Sequence, residues 1–169
     1  MRLVIVAGAM LCLYSILRLP YSNLDLRFLF ISVVTIFLGS RIGIEFSRLK
    51  VQITVSDTFI FLSMLLYGGE VAVLLAAAEA VFSTFRFSKL WLTRLFNGAL
   101  LGSSTFLTAF VVERCFGSVS ALTHGQLSSN FITAVGLMAF VQYAANSGIA
   151  AFRESLKLDQ PFWHTWREY

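Results

Sequence analysis

Charge is the scarcest commodity in this chain. Only 13% of its 169 residues are Asp, Glu, Lys or Arg, where a soluble domain carries about 25%. So few charges cannot cover the water-facing surface of a chain this long. An ordinary soluble fold is excluded, and lipid is the expected solvent. Cysteine is nearly absent: Cys12 and Cys115 stand in separate apolar surroundings with no CxxC spacing. That excludes a disulfide framework and a zinc site. The two prolines, Pro20 and Pro161, fall outside the apolar runs and leave those runs free to be helical.

Catalytic groups are equally thin. His124 lies in the hydrophilic loop "SALTHGQLSSN" and His164 in the tail. Ser103-Ser104 with His124 is the nearest approach to a serine hydrolase, yet the strained nucleophile elbow is missing. No phosphate-cradling loop and no metal-ligand cluster occurs. The expectation is a non-enzyme with no cofactor and no metal.

What is abundant is apolar: 57% of the residues, with 17 Phe. Six apolar segments can be read, Leu3 to Leu19, Leu24 to Ser40, the stretch Val55 to Glu70, its sequel Glu70 to Phe85, Leu90 to Val112 and Phe131 to Phe152. The first is followed by Arg18-Leu19-Pro20-Tyr21 rather than a small-x-small cleavage site, which favours an uncleaved anchor over a secretory signal. The last two reach the ~20 residues needed to cross the hydrocarbon.

The cations set an orientation. Arg2, the group Arg41, Arg48 and Lys50, the group Arg86, Lys89 and Arg94, and the tail's Arg153, Lys157 and Arg167 hold ten of the 13 Lys and Arg. If all six segments cross, these ten share one side, and Arg18, Arg27 and Arg114 occupy the other. Both termini are then cytoplasmic in a bacterial inner membrane. The cations form no basic stripe and interleave with no aromatic platform, so nucleic acid is excluded as a partner. A hairpin of segments three and four dipping in from the cytoplasm gives the same tally, so charge leaves crossing and re-entrant models open.

Between segments two and three, "RIGIEFSRLKVQITVS" alternates Ile42, Ile44, Phe46 and then Leu49, Val51, Ile53, Val55. Period two predicts a short cytoplasmic β-hairpin or extended segment over about 41–55. An interfacial amphipathic helix over Arg41 to Lys50 is the alternative. Next comes "VSDTFIFLSMLLYGGE", a greasy helix too short to span, with an acid at each end. Ser56 is expected to cap it, and Asp57 then favours the positive end of the helix dipole. Gly68-Gly69 allows a tight reversal, after which Glu70 opens the next helix in the same way. Capping outweighs ligand binding for both acids.

Glu79 escapes that account. It stands in "LLAAAEAVF", where an ionised acid costs several kcal/mol (about 2.5–3.5 on insertion scales) unless it is paired or protonated. Asn97 in "RLFNGALLG" and Gln142, Tyr143 and Asn146 in "FVQYAANSG" are the groups expected to meet it in a polar core. Such a core serves as glue between helices, at ~1 kcal/mol per hydrogen bond, or as a pocket for a small ligand or a proton. Gly98-x-x-x-Gly102 and Ala144-x-x-x-Gly148 mark expected close-packing faces on helices five and six.

One order of features resembles a known family. "SRLK", a β-like stretch into "VSDTFIFLSMLLYG", then "LFNGALL", "YAANSGIAAF" and "FWHTWREY" is similar to the membrane-associated sensor (MASE-type) domains of bacteria, over roughly residues 24 to 169. The resemblance implies a single membrane domain over 1–169 that precedes a cytoplasmic GGDEF-type cyclase or HD-GYP-type phosphodiesterase. It also implies cyclic-di-GMP signalling and working in pairs, as a homodimer. The chain stops at Tyr169, so the resemblance implies either a fragment truncated before that output domain or an isolated sensor module. Six short helices with an acid-bearing hairpin also resemble the substrate-binding subunits of energy-coupling-factor transporters, which capture a small molecule and work with an ATPase module. The expected fold is an all-α polytopic bundle of six transmembrane helices.

Overall fold

The computed structural model describes residues 1–19, 21, 25–37, 43–46, 51–86, 88–117 and 129–167. Each of the six apolar segments is a helix: α1 (Arg2–Leu17), α2 (Leu26–Phe37), α3 (Val55–Tyr67), α4 (Gly69–Thr84), α5 (Trp91–Phe116) and α6 (Ser129–Leu158). A seventh helix, α7 (Phe162–Trp166), lies in the tail that the apolar runs leave out. Between α2 and α3, β1 (Gly43–Phe46) and β2 (Val51–Thr54) pair antiparallel, with Gly43 opposite Thr54 and Phe46 opposite Val51. Residues 41, 42 and 47–50 of the expected hairpin lie outside the described residues, as does His124. β2 runs into α3 with no residue between them.

The reversal between α3 and α4 depends on Gly68, whose φ of 98° is open to glycine and strained for other residues. Gly69 then lets α4 close on α5, since a Cβ there would stand 2.7 Å from that of Ala109. Gly98 and Gly102 of α5 meet α4 in the same way. A Cβ on Gly98 would lie 2.6 Å from Val81 and 3.1 Å from the Ala77 carbonyl. Gly98-x-x-x-Gly102 is therefore a close-packing face. Ala144-x-x-x-Gly148 is not one at Gly148, where an added Cβ would meet no described residue within 4 Å.

The helices alternate in direction. α1 runs parallel to α5, with Gly8 against Ala99 and the Tyr14 ring edge-on to Phe106. α2 starts beside the end of α3, where the Tyr67 hydroxyl donates to Asp25 Oδ1 at 3.1 Å and Phe28 stacks edge-on against Tyr67. Asp25 also caps α2 by accepting the Phe28 N–H at 3.0 Å. The turn at Gly68 is thus level with the far ends of α1 and α5 and the start of α2. The hairpin does not stop half-way along the bundle.

The core lies where α3, α4, α5 and α6 converge on Ile60, Met64, Ala72, Ala76, Val112 and Met138. α4 is buried nearly all round, as its apolar, Ala-rich surface requires. α5 and α6 are the two described helices long and apolar enough to cross a membrane. At the tail, Asp159 turns the chain with a φ of 52°. The Ser155 hydroxyl holds that turn by donating to the Gln160 carbonyl at 2.6 Å. Pro161 starts α7, which folds back on α6 through Trp166 Nε1 donating to Ser147 Oγ at 3.0 Å.

Candidate functional site

The α3–α4 hairpin builds the site. Counting outward from the glycine turn in both directions brings the first turn of α3 level with the third turn of α4. Ser56 and Glu79, nearly equidistant from Gly68, meet there. Ser56 is fully buried and Glu79 only 4% exposed, and the Ser56 hydroxyl hydrogen-bonds the Glu79 carboxyl. Asp57 stands close enough for its charge to act on Glu79. The helix begins at Val55, two residues earlier than expected, so Ser56 is inside the first turn and its hydroxyl bonds Glu79.

Asp57 does occupy the first turn of α3, so its dipole role and its place beside Glu79 coexist. Asp57 is only partly buried, so its charge adds repulsion at the edge of the buried Glu79 carboxyl, and a positive group or a proton nearby relieves that repulsion.

The remaining sequence candidates do not join Glu79. Asn97 Nδ2 donates to Thr84 Oγ1 at 2.9 Å, tying α5 to the last turn of α4, while Thr84 donates to the Ala80 carbonyl. Gln142 forms its own network across α5 and α6. Its Nε2 donates to Ser104 Oγ at 3.3 Å and Thr105 Oγ1 at 3.2 Å. The Thr108 hydroxyl lies 2.9 Å from both Gln142 Oε1 and the Ser104 carbonyl and shares its proton between them.

Asn146 stands one turn on from Gln142, with its Oδ1 buried and without a hydrogen-bond partner among the described residues. Tyr143 is half exposed and faces away from the core. The single polar core read from the sequence is therefore three separate clusters. Glu79 is level with the junction of β2 and α3 rather than at mid-bundle, and the Gln142 network takes the middle.

A fourth cluster was not anticipated. At the Gly68 end, Tyr14, Glu70, Phe106, Phe110 and Glu113 line a cleft of about 90 Å3. Glu70 keeps its place in the first turn of α4 and interacts electrostatically with Glu113 of α5. Two arginines cover the rings instead of pairing with the acids: Arg18 lies 5.2 Å from the centre of Tyr14, and Arg114 lies 5.1 Å from that of Phe110. Glu70 and Glu113 are far apart in sequence, so only the α4–α5 pairing shows them together. Ser56 had a usable signal, its mirror position to Glu79 about the glycine turn. Among the described residues, no three His, Cys, Asp or Glu side chains are grouped to hold a metal ion. No known protein family, no curated protein and no solved structure matches the chain.

Proposed function

We propose that the chain is a non-catalytic sensory input domain of a bacterial inner-membrane signalling protein, with six crossings and both ends cytoplasmic. The observation that carries this reading is Glu79, buried on Ser56 beside Asp57 at the point where β2 enters α3. A carboxyl so placed responds to a proton or to a small cationic ligand, because either one changes the charge that two packed helices must accommodate. The response passes through α4 and α5 to α6 and to the tail latched on Ser147, and from there to a cytoplasmic output domain.

Several features support the membrane setting. Leu3 and Leu26 are 82% and 81% exposed, and large apolar side chains cover the outer faces of α1, α2 and α6. A water-soluble monomer does not tolerate so wide an apolar surface. The alternating helix directions collect Arg2, Arg86, Lys89, Arg94, Arg153 and Lys157 at the end of the bundle that holds the β-ladder, as the positive-inside rule asks of a cytoplasmic face.

The transporter-subunit reading has one observation in its favour, the cleft at the opposite end. At about 90 Å3 it is well below the roughly 300–1,000 Å3 of pockets that enclose a vitamin-sized molecule. The sensor reading is preferred for that reason.

The test is amide hydrogen exchange on the chain in lipid nanodiscs, comparing the native protein with Glu79→Gln and Glu79→Leu as pH is lowered. The native protein is expected to change protection in α3 and α7 together, and both variants are expected to stay in one state. Variants that track the native protein remove Glu79 from the mechanism. Terminal tags reporting from opposite faces of the membrane overturn the topology.

A further inference from the structure

The corner joining α4 to α5 carries Arg86, Lys89 and Arg94, and the chain from Ala80 to Val112 contains no carboxylate. Arg94 is held in place there. Its Nε donates to the Ser88 carbonyl at 3.0 Å, and its guanidinium carbon lies 3.8 Å from the centre of the Phe85 ring and 6.0 Å from that of Trp91. Its terminal nitrogens make no hydrogen bond or ion pair with a described residue. An arginine already immobilised by a ring and a carbonyl has little entropy left to lose on binding, and its planar fork matches a phosphate. Lys89 is exposed beside it and adds a mobile point charge.

Apolar surface adjoins these cations. Leu90 is 70% exposed and Trp91 59% exposed, with Phe85 next to them. The start of α5 has no side-chain cap, so the positive end of that helix faces the same corner. A soluble phosphate needs only the charges. An occupant that also uses Leu90, Trp91 and Phe85 is an amphiphile with an anionic phosphate at one end.

We propose that this corner, Arg94 with Lys89 above the Phe85, Leu90 and Trp91 surface, binds the headgroup of an anionic phospholipid. The phosphate sits on the Arg94 fork and the Lys89 ammonium, and the acyl chains lie along the exposed apolar residues. Trp91 is at the depth where membrane proteins concentrate tryptophan, and the cation-rich face is the one that meets anionic lipid. The inference rests on the membrane setting proposed above.

The experiment is native mass spectrometry of the chain released from phosphatidylcholine nanodiscs made with and without phosphatidylglycerol. The native protein is expected to retain phosphatidylglycerol about tenfold over phosphatidylcholine, as one strong charge-assisted contact provides. Arg94→Gln should lose about tenfold of that retention and the exposed Lys89→Gln about threefold, while Arg27→Gln at the opposite end leaves it unchanged. Because Arg94 also packs on Phe85, the Lys89→Gln result decides the matter if Arg94→Gln fails to fold.

Equal retention of the two lipids overturns the proposal, as does equal behaviour of Lys89→Gln and Arg27→Gln. Displacement of the lipid by dissolved glycerol phosphate at matched concentration also overturns it, in favour of a soluble ligand. A chain that stays outside the discs overturns the membrane setting itself, an outcome distinct from the others.

Discussion

α5 and α6 have similar mean hydropathy and are the two described helices long and apolar enough to cross a bilayer, yet they occupy opposite positions in the fold. Half of the most apolar stretch of α5 is buried, against 22% for α6. α5 packs against α1, α4 and α6, whereas α6 relies mainly on α5 and α7. Hydropathy does not separate them, but small residues do. Gly98, Ala99, Gly102 and Ala109 let α1 and α4 approach α5 closely, whereas a Cβ on Gly136 or Gly148 of α6 would meet no described residue within 4 Å. Where lipid is as apolar as leucine, close backbone approach decides which helix is central. α6 is then attached by a few polar and cationic contacts: the Gln142 network, Arg153 over the Phe96 ring at 4.7 Å, and Ser147 with Trp166.

The sharpest way to break this comparison is to add the same side chain to both helices. Gly98→Leu drives a side chain into Val81 and the Ala77 carbonyl and should cost about 3 kcal/mol of stability. Gly148→Leu meets open space and should stay within about 0.5 kcal/mol of the native protein. Thermal unfolding in detergent reads both, and equal losses would abolish the distinction.

Smaller effects should follow from loosening α6. Gln142→Leu removes three interhelical hydrogen bonds, but Thr108 and Ser104 keep their own helical carbonyls as partners. The expected loss is therefore about 1–2 kcal/mol, with amide protection falling in α6 and unchanged in α4. Ser147→Ala should cost about 1 kcal/mol and act locally. Its signature is a red-shifted Trp166 emission as α7 leaves α6, with α3 to α5 undisturbed.

The least effect is expected at the opposite end of the bundle. The Phe28 N–H, with help from the Tyr67 hydroxyl and the nearby Arg27 charge, holds the Asp25 carboxyl below its ordinary range. A carboxyl lowered on folding stabilises α2 at pH above its ordinary value, and that contribution fades as pH falls through the lowered value. Amide exchange at Phe28 should accelerate in acid while exchange at Gly98 does not. A Phe28 rate indifferent to acid would remove Asp25 as a cap.

The sequence revealed helices well and partners poorly. Period and solvent demand located all six apolar helices, and alternating β-branched residues flagged the stretch that carries β1 and β2. α7 was missed because five aromatic and polar residues after a proline carry no apolar period of their own; its place depends on Trp166 reaching Ser147. Glu79 could be recognised as unusual from its mid-run position, and Gly98-x-x-x-Gly102 as a contact face from its spacing. Which polar groups meet was not legible, because a shift of one helical turn changes every neighbour across an interface. Asn97 and Gln142 were expected at Glu79, but the glycine contacts at Gly69 and Gly98 fix the register and send them to Thr84 and to the Ser104–Thr108 face instead.

Thr54 and Val55 are consecutive, so the second strand passes into the third helix with no linking residue between them. A displacement of the strand pair is therefore expected to reach Ser56, two residues beyond Thr54. Whatever grips that pair from below has direct leverage on the carboxyl that Ser56 holds.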